Sequence, residues 1–186
     1  MRSLMSIANG LTLARLVISP INMWCILERQ FLLSGVLFVL AVVSDVFDGI
    51  FARRQARANR IGGILDHSAD CLFVSSALFA LAFQGSVPIF LPILVVLAFI
   101  QYVLDSRVFQ KEKLVPSRLG RLNGICYFVI VGIVVGEIVF NAWWVSDLWI
   151  RQVFSWVLIF STVLSIGERL VLLINRKAVD NQHSQH

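Results

Sequence analysis

Asp45-Val-Phe-Asp48-Gly49-Ile-Phe-Ala52-Arg53 is followed, eight residues later, by Gly62-Gly-Ile-Leu-Asp66-His-Ser-Ala-Asp70. Asp45 and Asp48 close one long apolar run, and Asp66 and Asp70 open the next. An ionisable group costs about 2.5–3.5 kcal/mol at the centre of an inserted helix and less near its end. Four carboxylates at adjoining helix ends therefore call for a compensating cation and a function. At about 100° per residue, Asp45 and Asp48 lie roughly 60° apart on a helix, with Gly49 and Ala52 in the same sector. Gly62, Asp66 and Asp70 step by four and form one stripe.

Each helix thus presents carboxylates beside small residues. Carboxylates are hard oxygen ligands suited to Mg²⁺ or Mn²⁺. Glycine and alanine leave room for a bulky ligand to approach the backbone. Arg53 adds a fixed cation able to fork onto a phosphate. A metal-assisted phosphoryl-transfer site accounts for all three features. Plainer alternatives stand beside it. The aspartates could form a structural ion network or line a cation pathway. Gly49 and Gly62 could be helix-packing glycines, and Arg53 an interfacial arginine like Arg54 and Arg57. His67 is either a hydrogen-bond partner within the motif or incidental.

Working outward, the 186 residues are 58% hydrophobic, with a mean hydropathy of +0.83. A soluble domain would be far more polar. Six spans of about 20 residues each account for this length. They fall roughly at 11–28, 32–51, 64–84, 88–105, 122–142 and 150–174. The expected fold is an all-α integral membrane bundle of six transmembrane helices, one domain over 1–186. Residues 1–10 form a mixed lead-in suited to a short interfacial helix. No small-residue cleavage site follows the first apolar run, which is expected to be a retained span. Pro20 should kink it. Residues 53–61 should extend the second helix until the Gly62-Gly63 pair breaks it. Gln84-Gly85-Ser86 reads as a turn, Trp143-Trp144 with Trp149 as an interfacial belt, and the C-terminus as a polar tail. Cys25, Cys71 and Cys126 fall in apolar runs with no disulfide or zinc spacing, so they read as inert thiols.

The net charge is +5, but the basic residues sit in short loops between apolar runs. They suit anionic lipid headgroups rather than nucleic acid. On the six-span map, 14 of the 16 Lys and Arg lie on one side, counting Arg15 near that boundary. The positive-inside rule then places both termini and the aspartate motif on the cytoplasmic side. Arg107, Lys111, Lys113, Arg118 and Arg121 form a basic loop on that side. Arg118 and Arg121, three apart beside the fifth span, are candidates for binding the phosphate of a substrate, with contact to anionic headgroups the alternative. Glu137, deep in the fifth span, has no partner nameable from sequence.

The pattern D-x2-D-G-x2-A-R-x8-G-x3-D-x3-D resembles the signature of the CDP-alcohol phosphotransferases at every fixed position. Asn9-Gly-Leu-Thr12-Leu-Ala-Arg15 is similar to that family's N-terminal region. The resemblance implies a six-helix membrane enzyme that moves a phosphatidyl or similar group from a CDP-linked donor to an alcohol, releasing CMP. It implies two divalent ions, Mg²⁺ or Mn²⁺, held by Asp45, Asp48, Asp66 and Asp70. Asp70 would also be the base that takes the acceptor's proton. Gly49, Ala52, Arg53 and Gly62 would contact the nucleotide. CDP-diacylglycerol is the expected donor, glycerol 3-phosphate the first-guess acceptor, and a homodimer the expected assembly. Inositol phosphate, or a lipid acceptor such as phosphatidylglycerol as in cardiolipin synthases, stays open. Two other classes share some of these features: polyisoprenyl transferases, which lack the Gly-x2-Ala-Arg insert, and small cation transporters. Only the CDP-dependent enzyme would release CMP.

Overall fold

The computed structural model describes residues 2–54, 60–108, 118–140 and 148–183, with side chains described at 10, 12–46, 65–104, 119–140 and 149–172. The described residues form six helices and no strand: α1 (Arg2–Leu27), α2 (Phe31–Arg54), α3 (Arg60–Phe83), α4 (Phe90–Val108), α5 (Arg118–Phe140) and α6 (Leu148–His183).

The first helix shows why the chain forms a membrane bundle. Thr12, Arg15, Ser19, Asn22 and Ile26 recur at steps of three or four and are buried, while Leu13, Val17, Ile21 and Trp24 are exposed. The polar stripe points inward and the apolar one outward, the reverse of a water-soluble helix. Inside, these groups pair between helices: Ser34 Oγ on α2 donates to Asn22 Oδ1 at 2.8 Å, and Ser76 Oγ on α3 donates to the Ser19 carbonyl at 3.5 Å. Such pairing is the condition for burying polar groups in an apolar medium. Apolar segments long enough to cross a membrane occur at Leu65–Phe83, Leu119–Phe140 and Trp149–Leu172, with shorter ones at Thr12–Leu27, Phe31–Val46 and Phe90–Leu104. The protein is an all-α membrane bundle.

The helices close into a ring in the order α1, α2, α5, α6, α4, α3, and α3 also touches α5 across the interior. Phe73 of α3 sits at that crossing, stacked on Phe128 of α5 at 6.2 Å and tilted against Phe38 of α2 at 6.2 Å. A Cβ on Gly132 would stand 3.1 Å from the Phe38 ring, so the bare backbone of α5 lets α2 approach. Two connections use the same C-terminal cap. In each, an N–H three residues on and another five residues on satisfy the last carbonyls: Arg29 to Ile26 and Gln30 to Cys25, then Gly85 to Ala82 and Ser86 to Leu81. The capping residue is left-handed in both, Arg29 at φ 58° and Gly85 at φ 76°. Gly85 adopts that conformation without a Cβ penalty. Gln84 Nε2 then donates to the Ile26 carbonyl, joining the two turns.

Three expectations change. The lead-in is not a separate interfacial helix, because α1 runs unbroken from Arg2. Extending a helix is easier than nucleating a second one. Gly62-Gly63 does not break a helix but lies inside α3, which starts at Arg60. Glycine's helix penalty is about 1 kcal/mol per residue, which packing against neighbours overrides. The C-terminal tail is helical as far as His183. Glu137 finds a partner in Arg151 across α5 and α6 at 3.4 Å, with side chains 7% and 12% exposed. Trp143, Trp144, Lys111 and Lys113 lie outside the described residues.

Candidate functional site

Arg15 stands at the centre of the site. Its side chain is wholly buried on the inward stripe of α1. Nη1 lies 3.2 Å from Asp45 Oδ1 on α2 and also bonds Asp70 on α3, while Nη2 donates to Asp66 Oδ1 at 2.7 Å. Three helices therefore meet at one guanidinium. Asp66 and Asp70 reach the same cation because four residues on a helix return to the same face. Ser19 Oγ donates to the Arg15 carbonyl one turn on, at 2.7 Å.

Asp45, Asp66 and Asp70 each offer a carboxylate oxygen, and these oxygens all lie within 4.8 Å of one another. Among the described side chains, three carboxylates face the one guanidinium that pairs with them. Oxygens sharing one small divalent ion at about 2.1 Å stand no more than about 4.2 Å apart. Small side-chain adjustments would bring this set into one coordination sphere. The donor chemistry and the spacing both fit a hard divalent cation.

A cavity of about 470 Å³ opens beside Asp45 and Asp70, between α3, α4, α5 and α6. Its walls are largely apolar, including Val74, Val95, Phe99 and Phe128, with polar side chains set among them. His67, Tyr102, Arg121 and Arg169 also line it. The His67 ring lies 4.9 Å from the Tyr102 ring, and Arg169 lies 5.8 Å from the Tyr102 centroid. His67 therefore packs on aromatic neighbours from α4. A Cβ on Gly120 would fall 3.1 Å from Arg169 Nη2, so this glycine makes room for the guanidinium at the start of α5. Deeper in, Tyr127 and Thr162 share a hydrogen bond of 2.7 Å.

Of the residues singled out in the sequence, Asp45, Asp66 and Asp70 come together, and Arg121 reaches the cavity. Asp48, Gly49, Ala52 and Arg53 lie on the last turns of α2, and Gly62 on the first turn of α3; Arg118 opens α5. The side chains of all six positions lie outside those described. Sequence reasoning missed Arg15 and Arg169. Arg15 was counted as a boundary cation, whereas it is buried on the aspartates. Its signal was present: an arginine inside an apolar run needs a carboxylate partner, and the motif offered four on the same side of the membrane map. Cys25 is buried, Cys71 and Cys126 are half-buried, and all three are free thiols.

Comparison with known proteins follows the same lines. The family model for CDP-alcohol phosphatidyltransferase matches residues 5–179. A CDP-diacylglycerol--glycerol-3-phosphate 3-phosphatidyltransferase of Aquifex aeolicus is 38% identical over 79 residues, 42% of this chain and 44% of the relative. A probable cardiolipin synthase (CMP-forming) of Drosophila melanogaster is 28% identical over 159 residues, 75% of this chain and 49% of the relative. A probable phosphatidylglycerophosphate synthase of Mycobacterium tuberculosis is 28% identical over 137 residues, 70% of this chain and 66% of the relative. The chain thus spans about half to two thirds of the length of these relatives.

Proposed function

The chain belongs to the CDP-alcohol phosphatidyltransferase family, and on that premise we propose that it transfers a phosphatidyl group from CDP-diacylglycerol to an alcohol, releasing CMP. The observation that carries this reading is the convergence of Asp45, Asp66 and Asp70 beside one cavity. Asp45, Asp48, Asp66 and Asp70 would hold two divalent ions, Mg²⁺ or Mn²⁺. Bound there, the ions would supply charge stabilisation for the attacking and leaving oxygens of an in-line displacement.

The chain's own residues do the rest. Asp70, the carboxylate of the α3 pair that lines the cavity, takes the proton from the acceptor hydroxyl as that oxygen attacks the β-phosphorus, the one bearing the diacylglycerol. The bond from that phosphorus to the oxygen of the cytidylyl phosphate breaks, and CMP leaves with the bonding pair. Arg53, Gly49, Ala52 and Gly62 receive the nucleotide end. Arg15 holds three carboxylates in one place through bonds from a single rigid fork. Arg121 and Arg118, with Arg169 lining the same cavity as Arg121, attract the phosphate of the acceptor. The apolar walls of the cavity keep bulk water from competing with the alcohol.

Glycerol 3-phosphate is the first acceptor to try, supported by two of the three relatives described. Phosphatidylglycerol is the second, supported by the cardiolipin synthase relative. The motif and both termini face the cytoplasm in this reading, a placement supported by the basic loops, and the enzyme works as a homodimer within one membrane domain. The test is CMP release from CDP-diacylglycerol against a panel of glycerol 3-phosphate, inositol phosphate and phosphatidylglycerol, with the lipid product identified by mass. A new phospholipid in step with CMP supports the reading. CMP release with no acceptor-dependent product, or no CMP with any acceptor, contradicts it.

A further inference from the structure

The cavity beside the carboxylates contains two amide side chains whose hydrogen bonding is half used. Asn123 on α5 is 4% exposed. Its Oδ1 accepts from Ser161 Oγ of α6 at 2.7 Å, and its Nδ2 is buried with no hydrogen-bond partner among the described residues. Gln101 on α4 donates from Nε2 to the Ile166 carbonyl of α6 at 3.1 Å. Its Oε1 is buried and also lacks a partner among the described residues. Both side chains line the cavity that Asp70 lines. Each amide is anchored to α6 at one end, so neither can turn its other end away without breaking an interhelical bond.

An amide end left unpaired in an apolar surround is unfavourable, and in native proteins such groups are few and call for an explanation. Here the two unpaired ends are complementary. One is a donor and the other an acceptor, and they belong to side chains of two different helices that line the same cavity. A hydroxyl group donates one bond and accepts others, so it matches the pair where a hydrocarbon or a carboxylate does not.

We propose that Asn123 and Gln101 are specificity-determining residues that read a non-reacting hydroxyl of the acceptor. This rests on the transferase function proposed above. The cavity also receives Arg121 and Arg169, so the matching ligand carries a phosphate, a reacting hydroxyl for Asp70 and a further hydroxyl for the amide pair. That is a glyceryl phosphate unit. It occurs as free glycerol 3-phosphate and as the head of phosphatidylglycerol, and the pair reads the unit whichever group is attached beyond the phosphate.

Matched acceptors test this. Glycerol 3-phosphate is compared with 3-hydroxypropyl phosphate, which lacks only the middle hydroxyl, and phosphatidylglycerol with phosphatidyl-1,3-propanediol. CMP release is measured with CDP-diacylglycerol as donor. The wild-type enzyme should favour the hydroxylated member of one pair by roughly tenfold to a hundredfold in kcat/KM, as sites built around a substrate hydroxyl reject analogues lacking it. The pair that shows the preference tells the soluble source from the lipid one. Asn123→Leu and Gln101→Leu should each bring the ratio towards one by slowing the hydroxylated member, with the donor KM held. The ratio is taken within each preparation, so a smaller folded fraction cancels from it. Equal use of both members by the wild type would overturn the proposal. So would variants that slow both members by the same factor, or activity confined to an acceptor outside both pairs. Absence of CMP with every acceptor would overturn the transferase reading itself.

Discussion

Replacing Arg15 with methionine removes the cation on which three helices converge while keeping most of the side chain's length. Its two terminal nitrogens serve Asp45, Asp66 and Asp70, whose side chains are 44%, 39% and 17% exposed, while its own is wholly buried. Removing one partner of a fully buried pair costs about 3–5 kcal/mol. Partial exposure of the carboxylates lets solvent screen part of their repulsion, so a loss of about 2 kcal/mol is expected. In a chain of this size each kcal/mol moves Tm by about 2–4 °C, and Arg15→Met should melt roughly 4–8 °C below wild type in EDTA. A divalent cation compensates the same carboxylates, so saturating Mg²⁺ should narrow the gap and stabilise the variant more than the wild type. Thermal unfolding in detergent, followed by tryptophan fluorescence with and without Mg²⁺, measures both. An equal gap in the two conditions would show that Arg15 serves packing and does not share the carboxylates' charge with a metal.

Asp70→Asn keeps the size and one oxygen ligand but cannot accept a proton. Turnover should fall about 10²–10⁴-fold, the usual loss of a positioned base, with donor binding largely spared in an equilibrium assay; near-normal turnover would remove Asp70 from that role. Arg121→Gln and Arg169→Gln should raise the acceptor KM roughly tenfold to a hundredfold through loss of a charged hydrogen bond. Neither change should move the donor KM, and equal effects on both substrates would point to a disturbed fold. Arg151→Met strands Glu137 at the other end of α5 and should lower Tm by several degrees, while both KM values stay put. A change in KM there would mean that the α5–α6 clip acts on the site.

The apolar runs made the helices and the membrane legible in the sequence, and the four-residue step made the Asp66–Asp70 face legible. The 42% of the chain outside the hydrophobic count was harder to read, because a polar residue in an apolar run does not say which neighbour it meets. Thr12, Ser19 and Asn22 shared Arg15's face by helical spacing alone, yet only the ring order of the helices shows that this face meets α2 and α3. Arg169 was visible as a charge near the end of the last span, but its place over Tyr102 depends on α4 and α6 being neighbours. The misplaced break at Gly62-Gly63 followed from local propensity, which tertiary packing overrode. Asn123 and Gln101 carry no motif, and they stand out only because each has an unpaired amide end and both line one cavity.

The most direct measurement is the metal dependence of CMP release. Purified protein stripped with EDTA is given CDP-diacylglycerol and glycerol 3-phosphate, then Mg²⁺ or Mn²⁺ is added back, with Asp66→Asn run in parallel. The account predicts no CMP in EDTA, recovery on adding metal, and a variant that needs far more metal for a much lower rate. Full CMP release in EDTA, or an Asp66→Asn variant with the wild-type metal response, would contradict it.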